Sequence, residues 1–128
     1  MRTYHKYHNK KVMVKTFCFD SKREARRHAE LTALQAAGAI LDLQRQVKFV
    51  LIPAQREADV IGKRGGRKQG KVIERECSYY ADFVYTDAKT GERIVEDVKG
   101  YKGGGAYAVF SIKRKLMLYI HGIRIHEI

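Results

Sequence analysis

Asp97 and Lys99 stand two residues apart in the stretch Val95-Glu96-Asp97-Val98-Lys99-Gly100, and Asp82 lies one segment earlier, in 78–86. Side chains alternate faces along a strand, so Asp97 and Lys99 share one face. Residues 78–86 and 92–99 read as two strands joined by the turn-rich Asp87-Ala88-Lys89-Thr90-Gly91. Paired as a hairpin, they can lay Asp82 across from that face. Two carboxylates and an ammonium on one spot suit a divalent cation and a phosphodiester. Asp82 sits among aromatic and β-branched residues, where strand propensity disfavours it. Glu96 interrupts the Ile94/Val98 face, and Val95 joins the face of Asp97 and Lys99. Such conflicts with patterning gather at functional sites. The alternatives are a solvated Asp82 and a surface ion pair between Asp97 and Lys99.

The elements that must position these groups are legible around them. Residues 11–19 read as strand or a short hairpin. Ser21-x-x-Glu24 fits a capping box opening a helix, and Gly38 sits where a glycine should end it. Glu24 then has two readings, a helix cap or a member of the acidic site. Residues 40–52 form an extended segment, with alternation from Gln46 onward, that stops at Pro53, the only proline. Residues 61–71 hold five basic residues, four glycines and no acid, and the whole of 54–71 reads as a flexible basic loop between strands. A second glycine-rich loop covers 100–106. Val109, Ile112, Leu116, Tyr119 and Ile120 follow at helical spacing over 107–121. Gly122 closes that helix, and residues 123–128 alternate as a terminal strand.

At 128 residues the chain reads as one domain. Lys and Arg number 26 against 14 Asp and Glu, a formal charge of +12, which points to a polyanion and first of all to nucleic acid. Lys63, Arg64, Arg67, Lys68 and Lys71 suit a phosphate backbone, as does Lys102 beside Gly103-Gly104-Gly105; a solvated loop is the plainer alternative. No apolar run approaches the ~20 residues of a membrane span, and no signal peptide is visible, so a cytoplasmic protein is expected. Cys18 and Cys77 are isolated, and His5, His8, His28, His121 and His126 show no metal-ligand spacing. Nothing reads as a Ser-His-Asp or Cys-His constellation.

Three segments in order, Phe19-Asp20-Ser21-Lys22-Arg23-Glu24-Ala25, Tyr79-Tyr80-Ala81-Asp82-Phe83-Val84-Tyr85 and Glu96-Asp97-Val98-Lys99-Gly100, together with the element order, resemble the PD-(D/E)XK nuclease superfamily. More narrowly, they resemble its small phage and prophage endonucleases, akin to Holliday-junction resolvases. The proline that names the motif is missing before Asp82, where Ala81 stands.

The resemblance implies an α/β (α+β) fold with a restriction-endonuclease-like αβββαβ core, a mixed central sheet flanked by helices. It implies an Mg²⁺- or Mn²⁺-dependent endonuclease of phage origin, acting in DNA recombination, replication or packaging on branched or non-specific DNA, and working as a homodimer. Asp82, Asp97 and the Val98 carbonyl become the metal ligands, Glu24 the holder of a metal-bound water or second ion, and Lys99 the group that orients or deprotonates water. By analogy Lys113 faces the DNA, and Gln46 matches a glutamine whose role stays open. A non-catalytic nucleic-acid-binding protein on the same scaffold is the alternative.

Overall fold

The computed structural model describes residues 12–14, 17–19, 21–100 and 102–128, with side chains from Phe19 onward. His5, His8 and the Cys18 side chain lie outside this set. The chain opens with an antiparallel pair, β1 (Val12–Val14) and β2 (Phe17–Phe19). Ser21 then caps helix α1 (Lys22–Ala36), its Oγ accepting the Glu24 backbone N–H at 3.1 Å. Gly38 follows the helix at φ +80°, the left-handed turn expected of it.

The long strand β3 (Ile40–Ile52) leads into an arm of short strands: β4 (Gln55–Arg56), β5 (Val60–Ile61), β6 (Arg67–Lys68) and β7 (Val72–Glu74). β4 pairs with β7 and β5 with β6, both antiparallel. The segment expected as an open loop is therefore two stacked ladders. Its β-branched Val60, Ile61, Val72 and Ile73 supply strand residues between glycines that make the turns. Gly70 is required where the ladders approach, since a Cβ there would meet the Glu57 carbonyl oxygen at 1.9 Å. Gly70→Ala is expected to part the arm at this point. Hydrogen exchange at the Glu57 N–H, which donates to the Lys71 carbonyl at 2.8 Å, should accelerate at least tenfold. The melting temperature should hardly move, because no residue of the two apolar cores comes from the arm.

Four further elements complete the fold: β8 (Cys77–Asp87), β9 (Arg93–Asp97), helix α2 (Gly104–His121) and strand β10 (Ile125–Glu127). Helix α2 begins three residues earlier than its apolar spacing suggests, inside the glycine run, and ends at Gly122 with φ +66°. The central sheet has the order β10-β9-β8-β3, with β10 parallel to β9 and the other neighbours antiparallel. The architecture is thus a mixed sheet between two helices. On one face Leu31 of α1 packs with Ile40, Phe83 and Tyr85; on the other Phe110 and Met117 of α2 pack with Phe49, Leu51, Tyr79, Ala81, Val84 and Val95. Among the described residues no helix is long and apolar enough to cross a membrane.

These two cores expose a change of phase in β8. Strict alternation would put Tyr79, Ala81, Phe83 and Tyr85 on one face. Instead Tyr79, Ala81 and Val84 belong to the α2 side, and Phe83 and Tyr85 to the α1 side. The pairing with β3 stays in step across the change, Val47 opposite Ala81 and Arg45 opposite Phe83. Between those partners Gln46 has φ +49°, a conformation unusual for a non-glycine residue. Both strands turn over together at Gln46 and Asp82.

Candidate active site

Asp82 lies where β8 and β9 separate. Their last paired residues are Phe83 and Glu96, so Asp82 and Asp97 come next at the open end of the ladder. Asp82 Oδ2 accepts the Val98 backbone N–H at 2.8 Å, which ties the two strands beyond the last pair. Its Oδ1 accepts from the Gln46 side-chain amide at 3.1 Å, and the same nitrogen donates to Glu24 Oε1 at 3.3 Å. One amide thus joins a carboxylate from α1 to a carboxylate from β8. Glu24, its carboxylate expected either to cap the helix or to join the site, has that carboxylate on the site side, bonded to Gln46. Its backbone N–H receives the cap from Ser21, while its buried carboxylate turns toward Asp82.

Asp97 is buried and held from two sides. The Tyr79 hydroxyl donates to Oδ2 at 2.6 Å, and Lys99 Nζ pairs with Oδ1 at 2.9 Å. Lys99 also lies over the Phe110 ring, 3.7 Å from its centroid, so a residue of α2 fixes the ammonium. Burial pushes the Asp82 carboxyl up to about 6, and the nearby Asp97 charge adds to the rise, against the lowering hydrogen bonds from Val98 and Gln46. Burial and the Asp97 charge also raise the Tyr79 phenol far above its ordinary value, so it stays a hydrogen-bond donor.

Glu96, the neighbour of Asp97, faces the other side of the sheet. It is buried and receives two bonds from the Arg27 guanidinium, at 2.8 and 2.7 Å, with the Tyr85 hydroxyl as a third donor. This explains the break in the Ile94/Val98 pattern: the polar residue there closes an ion pair to α1.

The fold therefore brings Glu24, Asp82, Asp97, Lys99 and the Val98 backbone together from α1, β8 and β9. It does not bring the basic residues of the arm with them. Lys63, Arg64, Arg67, Lys68 and Lys71 follow Ile52, the last residue of β3, which stands roughly 17–20 Å along the strands from Gln46 and Asp82. Arg67 pairs with Asp59 at 3.2 Å. Lys102 is exposed just before α2, and Lys113 Nζ donates to the Ser78 carbonyl at 2.9 Å.

The sequence profile of one protein family matches residues 4–125, nearly the whole chain. The chain belongs to DUF1064. This family is described only as a protein of unknown function. No curated protein and no solved structure matches the chain. The site of this DUF1064 member contains three residues whose part sequence reasoning did not supply: Gln46, Tyr79 and Phe110. Tyr79 opens the second of the three family-like segments without a part assigned to it, and the sequence does not single out Phe110; both belong to the α2-side core. The fold, rather than any local pattern, brings the Tyr79 hydroxyl to Asp97, 18 residues away in sequence. Gln46 carried two signals, its place where the β3 alternation begins and its match to a glutamine of the resembled phage group, but neither gave it a role.

Oxygen donors of this kind suit a hard divalent cation in chemistry. Among the described residues, however, no three His, Cys, Asp or Glu side chains stand close enough to enclose an ion. Gln46 and Lys99 occupy carboxylate oxygens that a cation would share. The DUF1064 site answers this with a measurable property. Gln46→Leu keeps the bulk and removes the amide that favours the charged Asp82, so the Asp82 midpoint should climb from about 6 by about one pH unit. Carboxyl-carbon NMR titration reads this directly, and an unchanged midpoint would remove Gln46 from the site.

Proposed function

We propose that the protein is a metal-dependent endonuclease of the PD-(D/E)XK type that hydrolyses phosphodiester bonds in DNA, branched or without sequence preference. The observation that carries this reading is the meeting of Asp82 and Asp97 at the open end of one ladder, with the Lys99 ammonium on the second carboxylate. Burying two like charges together raises the energy of the ionised pair, seen in the elevated Asp82 carboxyl. A cation shared between them relieves that cost. The mixed sheet with one helix on each face is the arrangement an αβββαβ nuclease core requires, with α1 supplying Glu24.

Asp82, Asp97 and the Val98 carbonyl would hold Mg²⁺ or Mn²⁺, which polarises the phosphoryl oxygen and lowers the pKa of water. The chain's own groups do the rest. Lys99, steadied by Phe110, orients the attacking water and offsets negative charge as the phosphorus becomes five-coordinate. Tyr79 holds the Asp97 carboxylate in its rotamer. Gln46 keeps Glu24 and Asp82 in register across two elements.

The test is cleavage of supercoiled plasmid and of a synthetic four-way junction with Mg²⁺, with Mn²⁺ or with EDTA, comparing wild type and Asp97→Ala. Metal-dependent cutting that the variant loses is the expected result, and preference for the junction would mark a resolvase. Salt-sensitive binding by both proteins without cutting would replace the nuclease by a non-catalytic DNA-binding scaffold.

A further inference from the structure

Helix α1 bears a second chemical feature on its exposed side, where Lys22, Arg23 and Arg26 face solvent while Glu24 is buried. Lys22, Arg23, Arg26 and Arg27 line one groove of about 530 Å³, with Glu30 and Ile128 completing its wall. Their spacing of one, four and five residues makes a single stripe on a helix. Four cations therefore face one side-chain carboxylate, and that carboxylate, Glu30, is already paired with Arg27 at 2.9 Å. Lys22, Arg23 and Arg26 are exposed and make no ion pair among the described residues. Arg27 differs from them. Its two bonds to the buried Glu96 fix its guanidinium at the groove's inner wall and tie the groove to the residue beside Asp97.

From this we infer that the α1 groove is a binding site for the phosphodiester backbone of a nucleic acid, leading one strand past the acidic site. The inference rests on the nuclease reading for its direction but not for its chemistry. Like charges crowded along one helix face repel, and an anionic partner removes the repulsion. Lys22 to Arg27 rises about 7.5 Å along the helix. Successive phosphates of one strand advance about 3.4 Å along the duplex axis, so the stripe spans two to three of them. A lone anion would use only part of it. The groove offers charge and no aromatic surface, which suits backbone contact without base readout.

The experiment is fluorescence anisotropy with a short labelled DNA duplex in EDTA, so that binding is measured without cleavage, over a series of salt concentrations. Lys22→Gln/Arg26→Gln removes two exposed cations and spares Arg27, whose loss would disturb the fold. Lys89→Gln/Lys115→Gln removes the same charge elsewhere on the surface. The groove variant is expected to bind about 30-fold more weakly at 0.15 M salt, and its salt slope should fall by about 1.8, the contribution of two phosphate contacts. The control should change far less, and both should melt like wild type. Cleavage by wild type together with equal affinity of groove variant and control would overturn the groove and leave the nuclease. Binding through Lys22 and Arg26 without any cleavage would keep the groove and remove the nuclease. Absence of both would remove both. Saturation by millimolar inorganic phosphate, dependent on Lys22 and Arg26 while DNA affinity stays unchanged, would turn the groove into a single-anion site and overturn the assignment.

Discussion

Asp82→Asn is expected to melt at a higher temperature than wild type above pH 6 and to cleave no detectable DNA. Burial and the Asp97 charge move the Asp82 carboxyl from 3.8 to about 6. Between those values the folded protein keeps a proton that the unfolded chain has released, so folding stability falls as pH rises through this window. Above about 6 the full cost is present, and below about 3.8 none remains. Asparagine carries no charge and escapes the cost. At 1.36 kcal/mol per pH unit the gain is bounded near about 3 kcal/mol. Asp82 is only half-buried, and asparagine returns one acceptor fewer to Val98 and Gln46, so the net gain should be about 1 kcal/mol, or roughly 4 °C. Thermal melts at pH 4.5 and pH 8 check it: the two proteins should agree in acid and diverge in base. On the proposed chemistry the same change removes one of two central oxygen ligands, and cleavage should fall at least about a thousandfold. A lower melting temperature at pH 8 would mean that Asp82 stabilises the fold and is not held there at a cost.

The second large effect lies on the other face of the sheet. Arg27→Met should destabilise the protein by about 3 kcal/mol, near 10 °C in melting temperature. Glu96 is 1% exposed and loses both guanidinium bonds in this variant, keeping the Tyr85 hydroxyl as a donor. An unpaired buried carboxylate is among the costliest defects a small domain can carry. Arg27 itself keeps 22% of its side chain exposed, which sets the value at the low end of the range. The triple variant Arg27→Met/Glu96→Leu/Tyr85→Phe removes both donors and their acceptor together and should regain most of the loss. Chemical denaturation of wild type and the two variants measures the loss and the recovery. If Arg27→Met alone costs under about 0.5 kcal/mol, the ion pair is ornamental and α1 is held by Leu31 packing.

Much of this was readable from residue types. Ser21, Gly38, Pro53 and Gly122 each mark a boundary for a local steric or hydrogen-bonding reason, and all four boundaries stand where those residues put them. Asp82 stood out because strand propensity disfavours it, and Asp97 and Lys99 because alternation puts them on one face beside a break in the pattern at Val95 and Glu96. What was hidden is non-local. Strict alternation cannot foresee that β3 and β8 turn over together at Gln46 and Asp82, since the positive φ of Gln46 is imposed by its neighbours across the sheet. The arm was read as loop because its strands are two or three residues long and their pairing depends on contacts between β4 and β7, more than ten residues apart. Arg27 and Glu96 are 69 residues apart in sequence, and no local pattern links them.

The parallel strand β10 has a consequence for the order in which the protein comes into being. β9 carries Asp97 and ends beside Lys99, and its outer neighbour is supplied by residues 125–127. Beyond that ladder Ile128 donates its N–H to the Asp97 carbonyl at 2.9 Å and accepts from the Lys99 N–H at 3.1 Å. A ribosome makes these residues after every other described part of the site. Until they leave the exit tunnel, the strand bearing Asp97 is a bare edge and the backbone on either side of Val98 lacks its partner. A nascent chain can finish both helices and three strands of the central sheet while the acidic pair still waits for its last support. The constellation is thus ordered by translation, complete only once residues 125–128 have followed every other described part of it.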